Sequence, residues 1–281
     1  MIKSINKKVW AFDVEWVPDP LAGKLLYKLP EDMPDVDVIR EMWKMGGATE
    51  EDPMPFLKIT LCKIVSLSMV TRHEDKGEVK VELHSLPSLP VKSTETDEKY
   101  IISTFLDILG RMKPQIVGYN SVSADLKILI QRGIANGIMA KHFSKRPDKP
   151  WEGVDYFSDR SDHNVDLMRI LSGWGKSTPS LNEISVVSGI PGKLGIDGSE
   201  VAPMWLEGRI DEIVAYNEYD ALTTYLLWLR IAHFAGLFDD NEYVTEQDLV
   251  EQLIVDESQK EERKHLLKFL EEWKRLRSYH S

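Results

Sequence analysis

The 281-residue chain is 42% hydrophobic and 29% charged, which predicts a globular protein of one large domain or one domain with an appendage. Its net charge of −11 gives no global basic field to draw in nucleic acid or anionic lipid, so any such contact has to be local. The single cysteine, Cys62, excludes an internal disulfide and a cysteine-built zinc cage and suits a reducing cytoplasm; neither a signal peptide nor a run of roughly 20 apolar residues is read from the sequence.

Residues 8–16 alternate as a strand. Residues 18–57, rich in Pro, Asp and Met, read as an excursion from the core with one helix over VDVIREMWKMGG. Strands follow in KITLCKIVSLSMVTRH and EVKVELHSL. The segment TETDEKYIISTFLDILGRMK has helical spacing in Tyr100, Ile101, Phe105, Leu106 and Leu109, and Pro114 ends it before a short buried strand, QIVGY. Helical periodicity resumes near 123 in SADLKILIQRGIANG, and residues 141–162 read as a loop. NVDLMRIL is a strand-to-helix junction, and Ser180 with Glu183 forms a capping box for LNEISVVSG. A turn-rich stretch from Gly189 to Gly198 leads to a short helix at 199–208 and a long one ended by Gly236. Charged helices close the chain, with Leu266, Phe269, Leu270, Trp273 and Leu276 as their apolar stripe. Leading strands followed by alternating helices predict an α/β protein with a mixed sheet flanked by helices. The expected division is a main domain over 1–236, with 18–57 inserted, and a C-terminal helical extension over 237–281.

Three sets of acids interrupt these elements. In WAFDVEWVPDP, Asp13 and Glu15 stand two apart on a strand and so project from one face, with Phe12 and Val14 on the other. Two such carboxylates repel and resist ionisation, and a hard divalent cation with a preference for oxygen relieves them; a solvated edge strand fits a lone D-x-E as well. Asp125 follows a strand and Asn120 at the opening of a helix, where open α/β sheets place their sites, although Asn120, Ser121, Ser123 and Asp125 are also competent caps. Tyr216 and Asp220 lie one turn apart on one face of the long helix, among apolar neighbours that make an unpaired charge costly.

In that order the three motifs resemble the DEDD exonucleases of the ribonuclease-H-like fold, with Asp13, Glu15, Asp125 and Asp220 on the four acids. Tyr216, four residues before Asp220, matches the tyrosine branch; the histidine branch wants His where Ala215 stands. The DVEWVPD motif and the PSLNEIS, GIPGK and IDGSEV blocks are similar to predicted 3′–5′ exonucleases related to the exonuclease domain of family B DNA polymerases, over about residues 8–236. Trp16 and Ala124 depart from this pattern, which has a small hydroxyl residue at the first position and an aromatic at the second.

The resemblance implies an exonuclease domain over 1–236 that hydrolyses single strands from the 3′ end, DNA before RNA, with two Mg²⁺ or Mn²⁺ ions. Asp13 would bridge the ions, Glu15 and Asp220 would complete one site, Asp125 would hold the other through water, and Tyr216 would orient the attacking water. A ribonuclease of the same mechanism and a binding module with degraded chemistry are the rival readings. The basic segment KHFSKRPDKP, with Lys141, Lys145, Arg146 and Lys149, reads with Trp151 as a candidate strand track, or as a solvated loop. Trp16, Asn120 and Lys193 are further candidate substrate contacts. Asp166 fits an accessory acid or a helix cap, and His163 is read as structural. SGWGKST resembles the end of a phosphate-binding loop, but Ile170 occupies the position that motif gives to glycine.

Overall fold

The computed structural model describes residues 2–149, 152–158, 161–195 and 197–279. Five strands form one mixed sheet in the order β3-β2-β1-β4-β5: β1 (Lys8–Pro18), β2 (Cys62–Asp75), β3 (Glu78–Leu86), β4 (Gln115–Gly118) and β5 (Asn164–Asp166). β1 is antiparallel to β2 and parallel to β4, and β4 is parallel to β5. The α/β architecture with a helix-flanked mixed sheet, consistent with a ribonuclease-H-like fold, is as the sequence predicts.

Alternation along β1 divides the core into two layers. Val9 and Ala11 join one cluster with the long helix, while Trp10, Phe12 and Val14 join the other. The excursion after β1 holds two helices, α1 (Pro20–Tyr27) and α2 (Asp35–Met45), of which only the second is expected from spacing. They cross closely at Gly23, where an added Cβ would stand 2.6 Å from the Met42 sulfur. The second layer is completed by α3 (Glu98–Met112) and α4 (Asp125–Ala135), with Ile101, Ile102, Phe105 and Leu109 buried at helical spacing. Residues 141–162 include a short helix, α5 (Lys141–Ser144), where a loop is expected; Phe143 pins it to α3, since the Phe143 amide passes the Cα of Gly110 where no side chain fits.

The first layer is built on α9 (Ile210–Phe234), reached through α6 (Leu167–Leu171), α7 (Leu181–Val187) and α8 (Val201–Leu206). The capping box of Ser180 and Glu183 opens α7 as expected. Beyond α9, α10 (Asp240–Glu257) and α11 (His265–Arg277) pack on the same cluster, and all five residues of the predicted C-terminal stripe are buried. Buried ion pairs tie these helices down. Arg72 of β2 meets Glu246 at 2.6 Å, and Glu218 of α9 meets Arg263 and His265 at 2.9 Å each. Among the described residues no helix is long and apolar enough to cross a membrane.

A third buried arginine anchors the excursion. Arg132 of α4 meets Asp19, the N-cap of α1, and Glu98 at the start of α3, each at 2.7 Å, and Glu98 also accepts from the Ile64 amide. Removing the cation leaves two buried carboxylates unpaired, which costs about 3–5 kcal/mol. Arg132→Ala is therefore expected to lower the unfolding free energy by about that amount in urea titrations; an unchanged midpoint would show that both acids reach water.

Candidate active site

β1 runs past the end of β4, which pairs only with Val9–Ala11, so the residues after Ala11 have no strand on that side. Asp13 and Glu15 lie on this overhang and face α9, on the same side as Val9 and Ala11. The pairing of β1 with β2 shifts between Glu15 and Trp16, because Glu15 faces Ser66 while Trp16 faces Ile64. Val65 is the extra residue of a bulge, and both Val65 and Ser66 meet the α9 layer.

Asp220 of α9 descends onto this face. Asp13, Glu15 and Asp220, each half-buried, can place one oxygen apiece within 4.8 Å of one another. Asp125 stands next to that trio at the first residue of α4, deeply buried, and its Oδ1 accepts from the Val14 amide at 3.2 Å. The quartet therefore gathers at one place, although its members are up to 207 positions apart in sequence (13 to 220).

Its electrostatics follow from burial and from crowding of like charges. Burial, then the charges of Asp125, Glu15 and Asp220, holds the Asp13 carboxyl well above its ordinary range. Glu15 is raised by burial and by Asp220 and Asp125, with Lys193 opposing. Burial pushes Asp125 up to about 7 despite its backbone hydrogen bonds, and Asp220 up to about 6 despite Tyr216 and Lys193. Tyr216 is buried, and its hydroxyl lies against Asp220. Burial and the neighbouring acids drive that phenol upward, so it stays protonated and acts as a donor.

Three partners, Asn217, Asp197 and Asn182, were not singled out individually by the sequence motifs. Asn217, fully buried, donates from Nδ2 to Asp13 Oδ2 at 2.7 Å and accepts from Ser66 Oγ at 3.0 Å, which fixes the Asp13 carboxylate in one orientation. Its signal was an amide next to Tyr216 inside an apolar helix. Asp197 grips Lys193 Nζ, and Asn182 Oδ1 accepts from the Lys193 amide at 2.8 Å, which holds that lysine where its charge reaches Glu15 and Asp220.

The remaining candidates divide. Asn120 takes a left-handed conformation, φ 61°, and its amide donates to Asp166 Oδ1 at 3.0 Å. Asp166 also accepts from the Val122 amide at 3.1 Å and caps α6 through the Arg169 amide, so it orders the turn before Asp125. Trp16 packs in the cluster on the opposite face of β1 from the acids. Lys145 is exposed, and the Arg146 guanidinium is engaged by the buried Asp155 at 2.9–3.2 Å. Their segment is anchored at Gly110 and, through the Tyr156 hydroxyl, at the Pro114 carbonyl, the end of β4 away from Asp125. Lys149 pairs with Glu152 at 3.3 Å. Trp151 lies outside the described residues. The ring of His163 meets the Ser161 hydroxyl at 3.2 Å.

An arrangement of acids without matching internal cations suits a hard divalent ion, and the donor set is all oxygen. No curated protein matches the chain. Residues 54–273 match the family described as predicted 3′–5′ exonucleases related to the exonuclease domain of PolB. The matched stretch holds Asp125, Lys193, Tyr216 and Asp220 and begins after Asp13 and Glu15. With about four-fifths of its length inside that match (220 of 281 residues), the chain belongs to this family of predicted 3′–5′ exonucleases.

Proposed function

We propose that the protein is a metal-dependent 3′–5′ exonuclease that removes nucleotides from single-stranded DNA. The observation that carries this reading is the convergence of Asp13, Glu15 and Asp220 within 4.8 Å beside Asp125, in a member of a nuclease family. In this reading the four acids would hold two Mg²⁺ or Mn²⁺ ions, which would supply a water-derived nucleophile at neutral pH and relieve charge at the phosphorus and leaving oxygen.

The chain's own groups set the geometry. Asn217 and the Val14 amide lock the carboxylates of Asp13 and Asp125, so neither spends rotamer freedom when substrate arrives. Tyr216 keeps its proton and orients the attacking water by hydrogen bonding; a phenol raised this far is no base at neutral pH. Lys193 is the cation beside the acids and meets the phosphate from that side, while Asn120 shapes the turn against which the terminal nucleotide sits. The full quartet with its tyrosine favours an active enzyme over a binding module with degraded chemistry.

A labelled single strand is expected to shorten stepwise from its 3′ end with Mg²⁺ or Mn²⁺ and to stay intact with chelator. Asp13→Ala should reduce turnover to background, and Tyr216→Phe should slow it by roughly 100-fold, the order of loss that a misplaced reacting group gives. Normal digestion by Asp13→Ala would overturn the assignment, and preferential shortening of an RNA strand in the same assay would make the enzyme a ribonuclease.

Cation binding also has a stability signature. Asp125 at about 7 and Asp220 at about 6 lie above their ordinary 3.8, so the native state binds more protons than the unfolded chain between those values. Without cation, stability contributed by these groups falls as pH rises from about 4 to 7 and stays lost above that. At pH 8, saturating Mn²⁺ is expected to raise the melting temperature on the order of 5 °C, and at pH 5 much less. Asp220→Asn should melt higher than wild type at pH 8 without metal and respond less to Mn²⁺; identical wild-type melting with and without Mn²⁺ at pH 8 would count against a cation site.

A further inference from the structure

The loop between α6 and α7 carries the segment SGWGKST, and at its tip the Trp174 side chain is 99% exposed. Bare indole in water forgoes one of the largest apolar burials a side chain can make. The loop is nevertheless closed upon itself. Thr178 Oγ1 accepts from the Gly173 amide at 3.2 Å and donates to the Gly173 carbonyl at 3.3 Å, and Ser177 donates from both amide and hydroxyl to the Trp174 carbonyl at 3.2 and 2.7 Å. Gly173 leaves no room for a side chain, since an added Cβ would meet Ser177 Oγ at 2.1 Å, whereas Gly175, φ 60°, opens onto empty space beside the indole. A self-fastened turn thus presents a ring that none of the described residues covers.

Both ends of this loop are fastened to the acid site. On one side α6 starts at Asp166, whose carboxylate holds the Asn120–Val122 turn before Asp125. On the other, the Tyr119 hydroxyl donates to the Pro179 carbonyl, directly after β4. Two residues on from its cap Ser180, Asn182 binds the amide of Lys193, the lysine beside Glu15 and Asp220. Trp174 therefore lies on a loop whose two ends are fastened to the segments that carry Asp125 and Lys193.

We propose that Trp174 is a stacking platform for a base of the single strand whose 3′ end occupies the acids. The assignment rests on the nuclease reading above and adds a contact that reads strand rather than phosphate. Every base has a π-face, so the contact tolerates any sequence, and it is uncharged, so the acidity of the protein does not oppose it. A paired end keeps its bases stacked on one another and cannot offer one to the ring, so the platform also favours single strands over duplex ends.

The test uses the full chain and a fluorescein-labelled twelve-nucleotide single strand, with Ca²⁺ in place of Mg²⁺ for binding and Mn²⁺ for turnover. Trp174→Ala should bind the strand about 5- to 150-fold more weakly, the loss that removal of one stacked base gives, while Trp174→Phe retains most of the affinity. Hydrolysis of the p-nitrophenyl ester of thymidine 5′-phosphate, too small to reach the loop, should be unchanged in both variants. Abasic positions near the 3′ end should weaken wild type by the same factor and leave Trp174→Ala unmoved. Equal strand binding by wild type and Trp174→Ala, or equal losses from abasic positions in both, would overturn the platform while leaving the nuclease intact. A loss of self-association in Trp174→Ala with strand binding unchanged would reassign the ring to a contact between copies. A wild-type protein that neither binds nor shortens the strand would remove the nuclease reading and the platform with it.

Discussion

Four carboxylates, two from the overhang of β1 and one each from α4 and α9, converge at one place, and their mutual repulsion is the constraint around which the molecule is arranged. Elsewhere the fold neutralises buried acids from within. Glu246 has Arg72, Glu218 has Arg263, and Asp19 with Glu98 has Arg132, each at 2.9 Å or less. Among the described residues no arginine pairs with the quartet. Lys193, a cation whose field lowers Glu15 and Asp220, is already held by Asp197 and does not cancel the effect of burial. Paired acids inside a protein contribute to its structure, whereas acids left in deficit are poised for a charge from outside. The contrast within one chain is stronger than the cluster alone, since the same sequence pairs buried acids and arginines three times over.

The sheet creates the place where such a deficit can be held. Because β4 stops beside Ala11, the β1 backbone beyond it lacks a strand partner, and the Asp125 carboxylate takes the Val14 amide. Asp166 does the same for the turn that delivers Asp125, accepting two of its amides and one from α6. Carboxylates that serve as backbone caps cannot swing away from one another to relieve repulsion. Asn217 adds the same restraint to Asp13 and is itself set by the bulge at Val65, which turns Ser66 toward α9. The strain among the acids is thereby held in the fold.

The parts of this site that follow from short-range geometry were legible in the sequence. A period of two puts Asp13 and Glu15 on one face, a spacing of four puts Tyr216 above Asp220, and the capping box marks α7; all three are local. What was not legible depends on register or on distant packing. The role of Asn217 requires the bulge, which no property of Val65 announces. The helix α1 holds a glycine that spacing arguments count against a helix, yet Gly23 is there to let α2 approach. Trp16 follows the acids in sequence but, by the same alternation that exposes them, turns to the other layer. The basic segment after α4 is close to Asp125 in the chain, but α5 and Tyr156 fasten it at the opposite end of β4. Proximity in sequence is not proximity in space there, because a four-residue strand suffices to separate the two ends of a sheet.

The acidity of the protein constrains how a polyanion can be bound at all. A chain of net charge −11 repels a phosphate backbone at long range, so recognition has to come from short-range contacts that do not depend on the global field. Two kinds are available. Cations held by the quartet would turn its negative charge into an attraction for phosphate, and they act over a few ångströms. The uncharged ring of Trp174, in the role proposed for it, would add affinity that salt does not screen. Such a division would make binding to internal stretches of nucleic acid weak, since only an end would bring a phosphate to the acids and an unstacked base to the ring together. On the proposed reading a preference for ends would need no separate gate: it would follow from combining two short-range attractions on a protein whose net charge repels a polyanion.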